Sequence, residues 1–141
     1  MNLNVFIAVD DSEQFLSLMG RMAKALGYET LLCRTPEEFK RAYLNSRPTL
    51  IAVDVLLGGE DCSEVLDFLA RCRCSTPIAL VTGYTAEFMS VLENRMKAAG
   101  LKLEGKIEKK RNLFALEDLL KRLTIPEIEG ARGSAQTLLS P

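Results

Sequence analysis

Two hydrophobic rhythms alternate along the chain. The first is the unbroken apolar run: Val5-Phe6-Ile7-Ala8-Val9, Leu50-Ile51-Ala52-Val53 and Ile78-Ala79-Leu80-Val81. Runs of that length without a polar interruption fit strands covered on both faces. Residues 30–33 form a shorter, mixed run that fits an edge strand. Residues 103–108 alternate apolar with polar or glycine, the period of a half-exposed edge strand. The second rhythm is helical. Phe15, Met19, Met22 and Leu26, with Leu16 and Ala23 beside them, predict a helix over residues 12–26 stopped by Gly27. Thr35-Pro36-Glu37-Glu38 opens a second helix with a cap, a first-turn proline and a capping-box carboxylate. That helix buries Phe39, Ala42 and Tyr43 and ends before Pro48. Val65, Leu66 and Leu69 mark a third helix starting near Asp61 or Ser63, after a loop over residues 56–61. Phe88, Leu92 and Met96 mark a fourth over residues 85–99, stopped by Gly100. Leu113, Leu116, Leu120 and Leu123 mark a fifth, which Asn112 can cap.

Five strands alternating with five helices demand an α/β fold, a parallel sheet with helices on both faces. After Thr124 the periodicity stops. The expected organisation is one domain over residues 1–124, followed at 125–141 by a flexible tail or the start of a linker. A chain of 141 residues suits one core rather than two.

Composition mainly excludes. A formal net charge of -1 provides no basic surface, so no direct nucleic-acid partner is expected. No apolar run approaches the roughly 20 residues of a membrane helix. The N-terminus lacks a basic region and a cleavage site, so a cytoplasmic chain with reduced thiols is expected. Cys72 and Cys74 make a C-x-C pair, but zinc wants about four ligands and the chain has no histidine. That absence also removes Ser-His-Asp triads, histidine acid/base catalysis and a phosphohistidine.

The candidate chemistry sits where the strands end. In parallel sheets of this kind, ligands bind outside the carboxyl ends of the strands, where the strand order reverses. Four strands here end on Asp10-Asp11, Asp54, Thr82 and Lys109. Three carboxylates in close quarters repel, so some must protonate or a cation must bind. Oxygen ligands with open water positions suit Mg²⁺, which usually takes one or two carboxylates plus phosphate oxygens. With Mg²⁺ and the Lys109 ammonium, the local charge turns favourable for a phosphoryl group, and a carboxylate can attack phosphorus to give an acyl phosphate. Thr82 offers a hydroxyl donor to a phosphoryl oxygen, and Gly83 leaves room for the group.

At Val9-Asp10-Asp11, Val53-Asp54-Val55-Leu56-Leu57-Gly58-Gly59-Glu60-Asp61, Val81-Thr82-Gly83 and Gly105-Lys106-Ile107-Glu108-Lys109, the sequence resembles the receiver domain of two-component response regulators. The likeness covers residues 4–123. It implies a flavodoxin-like, doubly wound five-stranded sheet in the order 2-1-3-4-5 with five helices. Asp54 would be the phosphoacceptor, supplied by a sensor histidine kinase or a phosphotransfer protein. Asp11 would bind Mg²⁺ directly, Asp10 mainly through water, and the backbone carbonyl of Leu56 would join Asp54 as a further ligand. Thr82 and Lys109 would read the phosphoryl group, and the surface of helix four, strand five and helix five would switch. Such a protein is a phosphoacceptor switch rather than a turnover enzyme. The pattern departs at Lys106, where the family usually has an aromatic residue whose rotation reports the threonine; Tyr84 is the alternative reporter. It also departs at Lys110 and Gly58, where prolines are usual, and at Cys62, where glycine is common. The segment between Gly100 and Gly105 is longer than usual. That length is similar to receivers joined to cyclic-diguanylate phosphodiesterase domains, so an output domain or partner of that kind enters as one option. A homodimer is another, through charges on helices four and five, although a solvated face is the default.

Two other readings compete. A receiver-like module acting without phosphorylation is kept open by Lys106. An aspartyl-nucleophile phosphatase of the haloacid dehalogenase type wants a second aspartate two positions after Asp10, where Ser12 stands. A dinucleotide-binding domain fits least, because acids occupy the place of a glycine-rich phosphate loop. Cys62 reads as a packed or merely exposed thiol rather than an oxidation sensor.

Overall fold

In the computed structural model, which describes residues 3–83 and 89–126, the unbroken apolar runs are the central strands. β1 (Val5–Val9), β3 (Leu50–Asp54) and β6 (Ile78–Thr82) are buried throughout. β2 (Glu29–Cys33) and β7 (Leu103–Glu108) close the edges. All pairings in this sheet are parallel, in the order β2-β1-β3-β6-β7. The remaining strands, β4 (Leu56–Leu57) and β5 (Glu60–Asp61), form a separate antiparallel hairpin. Setting the hairpin aside, the order is the expected 2-1-3-4-5.

Successive strand residues face opposite sides of a sheet, and the core divides accordingly. Val5, Ile7 and Val9 join Phe39, Val65, Leu69, Leu92 and Met96 in one cluster. These come from α2 (Pro36–Leu44), α3 (Ser63–Arg71) and α4 (Met89–Ala98). Phe6 and Ala8 join Leu16, Met19, Leu116 and Leu120 on the other face, under α1 (Glu13–Ala25) and α5 (Ala115–Leu123). Residues 84–88, where the fourth helix and Tyr84 were expected to begin, lie outside the described residues, as does the tail beyond Pro126.

The capping signals hold with local adjustments. Ser12 Oγ accepts from Phe15 N and starts α1, and Gly27 follows its end at φ +89°. Thr35 Oγ1 accepts from Glu38 N, but the Glu38 carboxylate reaches back to Arg34 N rather than to the cap itself. Asn112 does not cap α5 with its side chain. Its Oδ1 accepts from Glu108 N at 2.7 Å and its own N donates to Glu108 O, so it closes the turn after β7 instead.

β7 bulges by one residue opposite Ile78 and Ala79, which pair with Leu103 and Gly105. A regular alternation would put Leu103 and Ile107 on one face. The bulge separates them: Leu103 packs against the α2–α3–α4 cluster and Ile107 enters the α1–α5 cluster. Gly105 lies close under α5, where a Cβ would come within 2.7 Å of Leu119 Cδ1.

Candidate functional site

β1 and β3 lie side by side in the sheet, and the chain order reverses between them, which is where such folds open a crevice at the carboxyl ends. Asp10 leaves β1 and is fully buried, Asp54 is the last residue of β3 and is 6% exposed, and Asp11 is exposed. One carboxylate oxygen from each of the three lies within 4.8 Å of the others.

Each acid is held by backbone. Asp10 Oδ1 accepts from Ser12 N at 2.8 Å, so the turn that caps α1 also fixes this carboxylate. Asp54 Oδ1 accepts from Leu56 N at 3.3 Å, and Asp11 Oδ2 from Gly58 N at 2.9 Å. The last bond ties the β4–β5 hairpin to the site. Its turn residues, Gly58 and Gly59, have φ of +60° and +86°. A tight hairpin turn with positive φ at both central positions selects glycine or asparagine.

Lys109 reaches over from the end of β7. Its Nζ stands 2.7 Å from Asp10 Oδ2 and 3.4 Å from Asp54 Oδ2, with its side chain 7% exposed. The Asp10 contact is an ion pair only, because Asp10 Oδ2 accepts no hydrogen bond of acceptable angle. Lys109 N donates to Thr82 O at 2.8 Å, which ties the end of β7 to the end of β6. Thr82 is fully buried there. The Lys109 ammonium also lies 4.2 Å from the centroid of the Phe15 ring.

The charges do not balance: three carboxylates face one ammonium. Burial, then the neighbouring charge of Asp10, pushes the Asp54 carboxyl up to about 7, against the pull of Lys109 and the Leu56 N–H. A divalent cation fits this donor set. The oxygens are hard, they come from three carboxylates, and Asp10 Oδ2 is a buried oxygen lacking a hydrogen bond.

Sequence reasoning thus selected residues that the fold brings together: the carboxylates of Asp10, Asp11 and Asp54 converge, and Lys109 reaches Asp10 and Asp54, with Thr82 one backbone bond away. It missed three contacts. Phe15 was counted only as a core residue. Gly58 contributes its N–H to Asp11, and Arg34 donates to the Asp11 carbonyl at 3.3 Å. Only the Gly58-Gly59 pair carried a usable signal, as a hairpin turn. Cys62 is fully buried and burial pushes its thiol up to about 12, so it is a packed, protonated side chain. Lys106 is exposed and pairs with Glu93 of α4 at 3.0 Å, and no cis peptide occurs among the described residues, the Lys109–Lys110 bond included.

No family model matches the chain. Among curated proteins, it is 30% identical over 92 residues to the alkaline phosphatase synthesis transcriptional regulatory protein PhoP of Bacillus subtilis, covering 65% of this chain and 38% of PhoP. It is 28% identical over 92 residues to the photosynthetic apparatus regulatory protein RegA of Rhodobacter capsulatus, covering 65% of this chain and 50% of RegA. The chain thus spans half or less of the length of these relatives. Among solved structures, the response regulator TrrA of Thermotoga maritima, in complex with Mg²⁺ and BeF, superposes with a TM-score of 0.69 at 21% identity, covering 86% of this chain and 99% of TrrA. In sequence the chain resembles these response regulators, and in fold their receiver domains. Its doubly wound sheet is the CheY-like, flavodoxin-type arrangement. Among the described residues, no helix is long and apolar enough to cross a membrane.

Proposed function

We propose that residues 1–124 are a receiver domain that accepts a phosphoryl group on Asp54 from a sensor histidine kinase or a phosphotransfer protein. The observation that carries the reading is the juxtaposition of Asp54 with Asp10, Asp11 and Lys109 at the point where the strand order reverses. An Asp54 carboxylate oxygen attacks phosphorus and forms the new O–P bond. The bond from phosphorus to the donor nitrogen breaks, and its electron pair leaves with the imidazole. Asp10, Asp11, Asp54 and the Leu56 carbonyl would hold Mg²⁺, which supplies positive charge favouring ionised Asp54 and the phosphoryl oxygens. Lys109, already 3.4 Å from Asp54, turns to the new phosphoryl oxygens, and Thr82 donates its hydroxyl to another.

The domain is then a phosphoacceptor switch, not a turnover enzyme. The phosphatase alternative finds no support at Ser12, whose hydroxyl is committed to capping α1. The readout is the face of α4, β7 and α5. There Lys106 pairs with Glu93 and Glu104 with Arg122, so β7 is braced to both helices by ion pairs within the chain. An output domain or partner receives the change, and a cyclic-diguanylate phosphodiesterase domain is one option of that class.

The test is the intact mass of the protein after incubation with Mg²⁺ and acetyl phosphate. A gain of one phosphoryl group is expected in the wild type and in neither Asp54→Asn nor a chelator-treated sample. A folded, Mg²⁺-containing wild type that gains nothing overturns the reading.

A further inference from the structure

The Lys109 ammonium has a third partner besides its two carboxylates. The Phe15 ring centroid lies 4.2 Å from Nζ, well inside the roughly 6 Å reach of a cation–π contact. Phe15 is half-buried, on the first turn of α1, and its placement is fixed by the same turn that fixes Asp10. Ser12 N donates to Asp10 Oδ1, and Ser12 Oγ accepts from Phe15 N. One short segment therefore holds a carboxylate and an aromatic ring against the same ammonium.

We propose that Phe15 is a positioning residue for the phosphoacceptor site, its ring holding the Lys109 ammonium within reach of Asp54. The proposal rests on the phosphoacceptor reading of Asp54. A lysine side chain is long and loses much rotamer freedom when fixed at one point. Carboxylates alone fix it poorly for this purpose. Asp10 is the nearer acid, at 2.7 Å against 3.4 Å for Asp54, so attraction alone draws Nζ toward Asp10. Each carboxylate also competes for N–H donors that a phosphoryl oxygen would need. A ring face attracts the cation through its quadrupole and accepts no N–H···O bond of its own. It restrains the ammonium and leaves its donors for oxygens on Asp54.

The bland alternative is that Phe15 only packs, since it also lies against the α1–α5 core cluster. Site-specific replacement of Phe15 by mono-, di- and trifluorophenylalanine separates the two, because fluorination drains the ring quadrupole while nearly preserving shape. The rate of Asp54 phosphorylation by acetyl phosphate should fall stepwise with fluorine number, reaching roughly fivefold for the trifluoro ring. Phe15→Tyr should stay near the wild-type rate, and Phe15→Leu should be at least as slow as the trifluoro protein. A rate independent of fluorine number would sink the proposal. A second measurement needs no phosphorylation. The Lys109 side-chain methylene protons should be shifted upfield by the ring current and return toward random-coil positions in Phe15→Leu. Unshifted signals in the wild type would also overturn it. If the wild type is never labelled while those protons are shifted, the phosphoacceptor reading falls and the Phe15–Lys109 contact stands.

Discussion

Asp54 carries a conflict between its place and its charge. A carboxylate is disfavoured by burial and by a second carboxylate nearby, and Asp54 has both. Its carboxyl, pushed up to about 7, binds its proton more tightly in the folded chain than in the unfolded one. The stability from that proton is present below the ordinary carboxylate value, about 3.9, and is lost as pH rises through about 7. Asp54→Asn has no such loss. At pH 8 without divalent cation, Asp54→Asn should therefore melt several degrees above wild type, a difference on the order of 1–3 kcal/mol. The gap should close by pH 4, and added Mg²⁺ should raise the wild type more than the variant. An Asp54→Asn protein that melts lower at pH 8 would mean that the lost attraction to Lys109 outweighs the relieved repulsion. Residue by residue, the site was legible where each group directly ends an apolar run, as Asp54 ends Leu50-Ile51-Ala52-Val53. It was illegible at Phe15, which fits the helical core stripe equally well and reveals its contact with Lys109 only once α1 and β7 are placed.

Among the elements, the hairpin β4–β5 ties local conformation to the acidic cluster. The stretch Leu56-Leu57-Gly58-Gly59-Glu60-Asp61 read as a loop, although two glycines between short flanks are a hairpin signal. Two residues per strand is too short for periodicity to register. The bulge in β7 escaped for a different reason: an inserted residue leaves the sequence alternation intact while changing which face each side chain meets. The hairpin yields a test. Gly59 has φ +86°, so Gly59→Val forces a β-branched residue into the left-handed region at roughly 1–2 kcal/mol. Because the adjacent Gly58 N–H holds Asp11, the same change should weaken Mg²⁺ binding, measured by calorimetric titration alongside a urea melt. Reduced stability with unaltered Mg²⁺ affinity would mean that the hairpin does not orient Asp11. The outer face of β7 has a smaller expectation. Lys106–Glu93 and Arg122–Glu104 are partly exposed surface pairs, worth at most about 1 kcal/mol each. Lys106→Ala should therefore barely move the urea midpoint. A large loss would assign Lys106 a packing role that its exposure does not suggest.

At the scale of the whole molecule, the fold is closed by contacts between its first strand and its last helix. Asn4, just before β1, is buried; its Nδ2 donates to Ile125 O at 3.0 Å and its Oδ1 accepts from Ile125 N at 2.6 Å, across 121 positions of sequence. Beside it, Tyr28 Oη donates to Leu120 O at 2.6 Å, and Thr124 Oγ1 donates to the same carbonyl. These polar groups lie at the amino end of the sheet, opposite the acidic site, and they pin the end of α5. No periodicity announces such a clamp, since an asparagine near the N-terminus and an isoleucine past the last helix carry no mutual signal. The energetic expectation is nevertheless specific. Asn4→Ala removes both of its side-chain bonds to Ile125, but Ile125 is exposed and its backbone can turn to water, so the cost should be about 1–2 kcal/mol. Tyr28→Phe leaves Leu120 O with its Thr124 partner and should cost less, about 0.5–1 kcal/mol. Hydrogen exchange distinguishes a local clamp from general destabilisation. In Asn4→Ala the Ile125 amide should exchange faster, while amides in the centre of β3 should change only by the global loss. Equal acceleration at both places would mean that Asn4 supports the core as a whole. Acceleration confined to the end of α5 would mean that this helix can loosen at one end of the sheet while the acidic site at the other stays assembled.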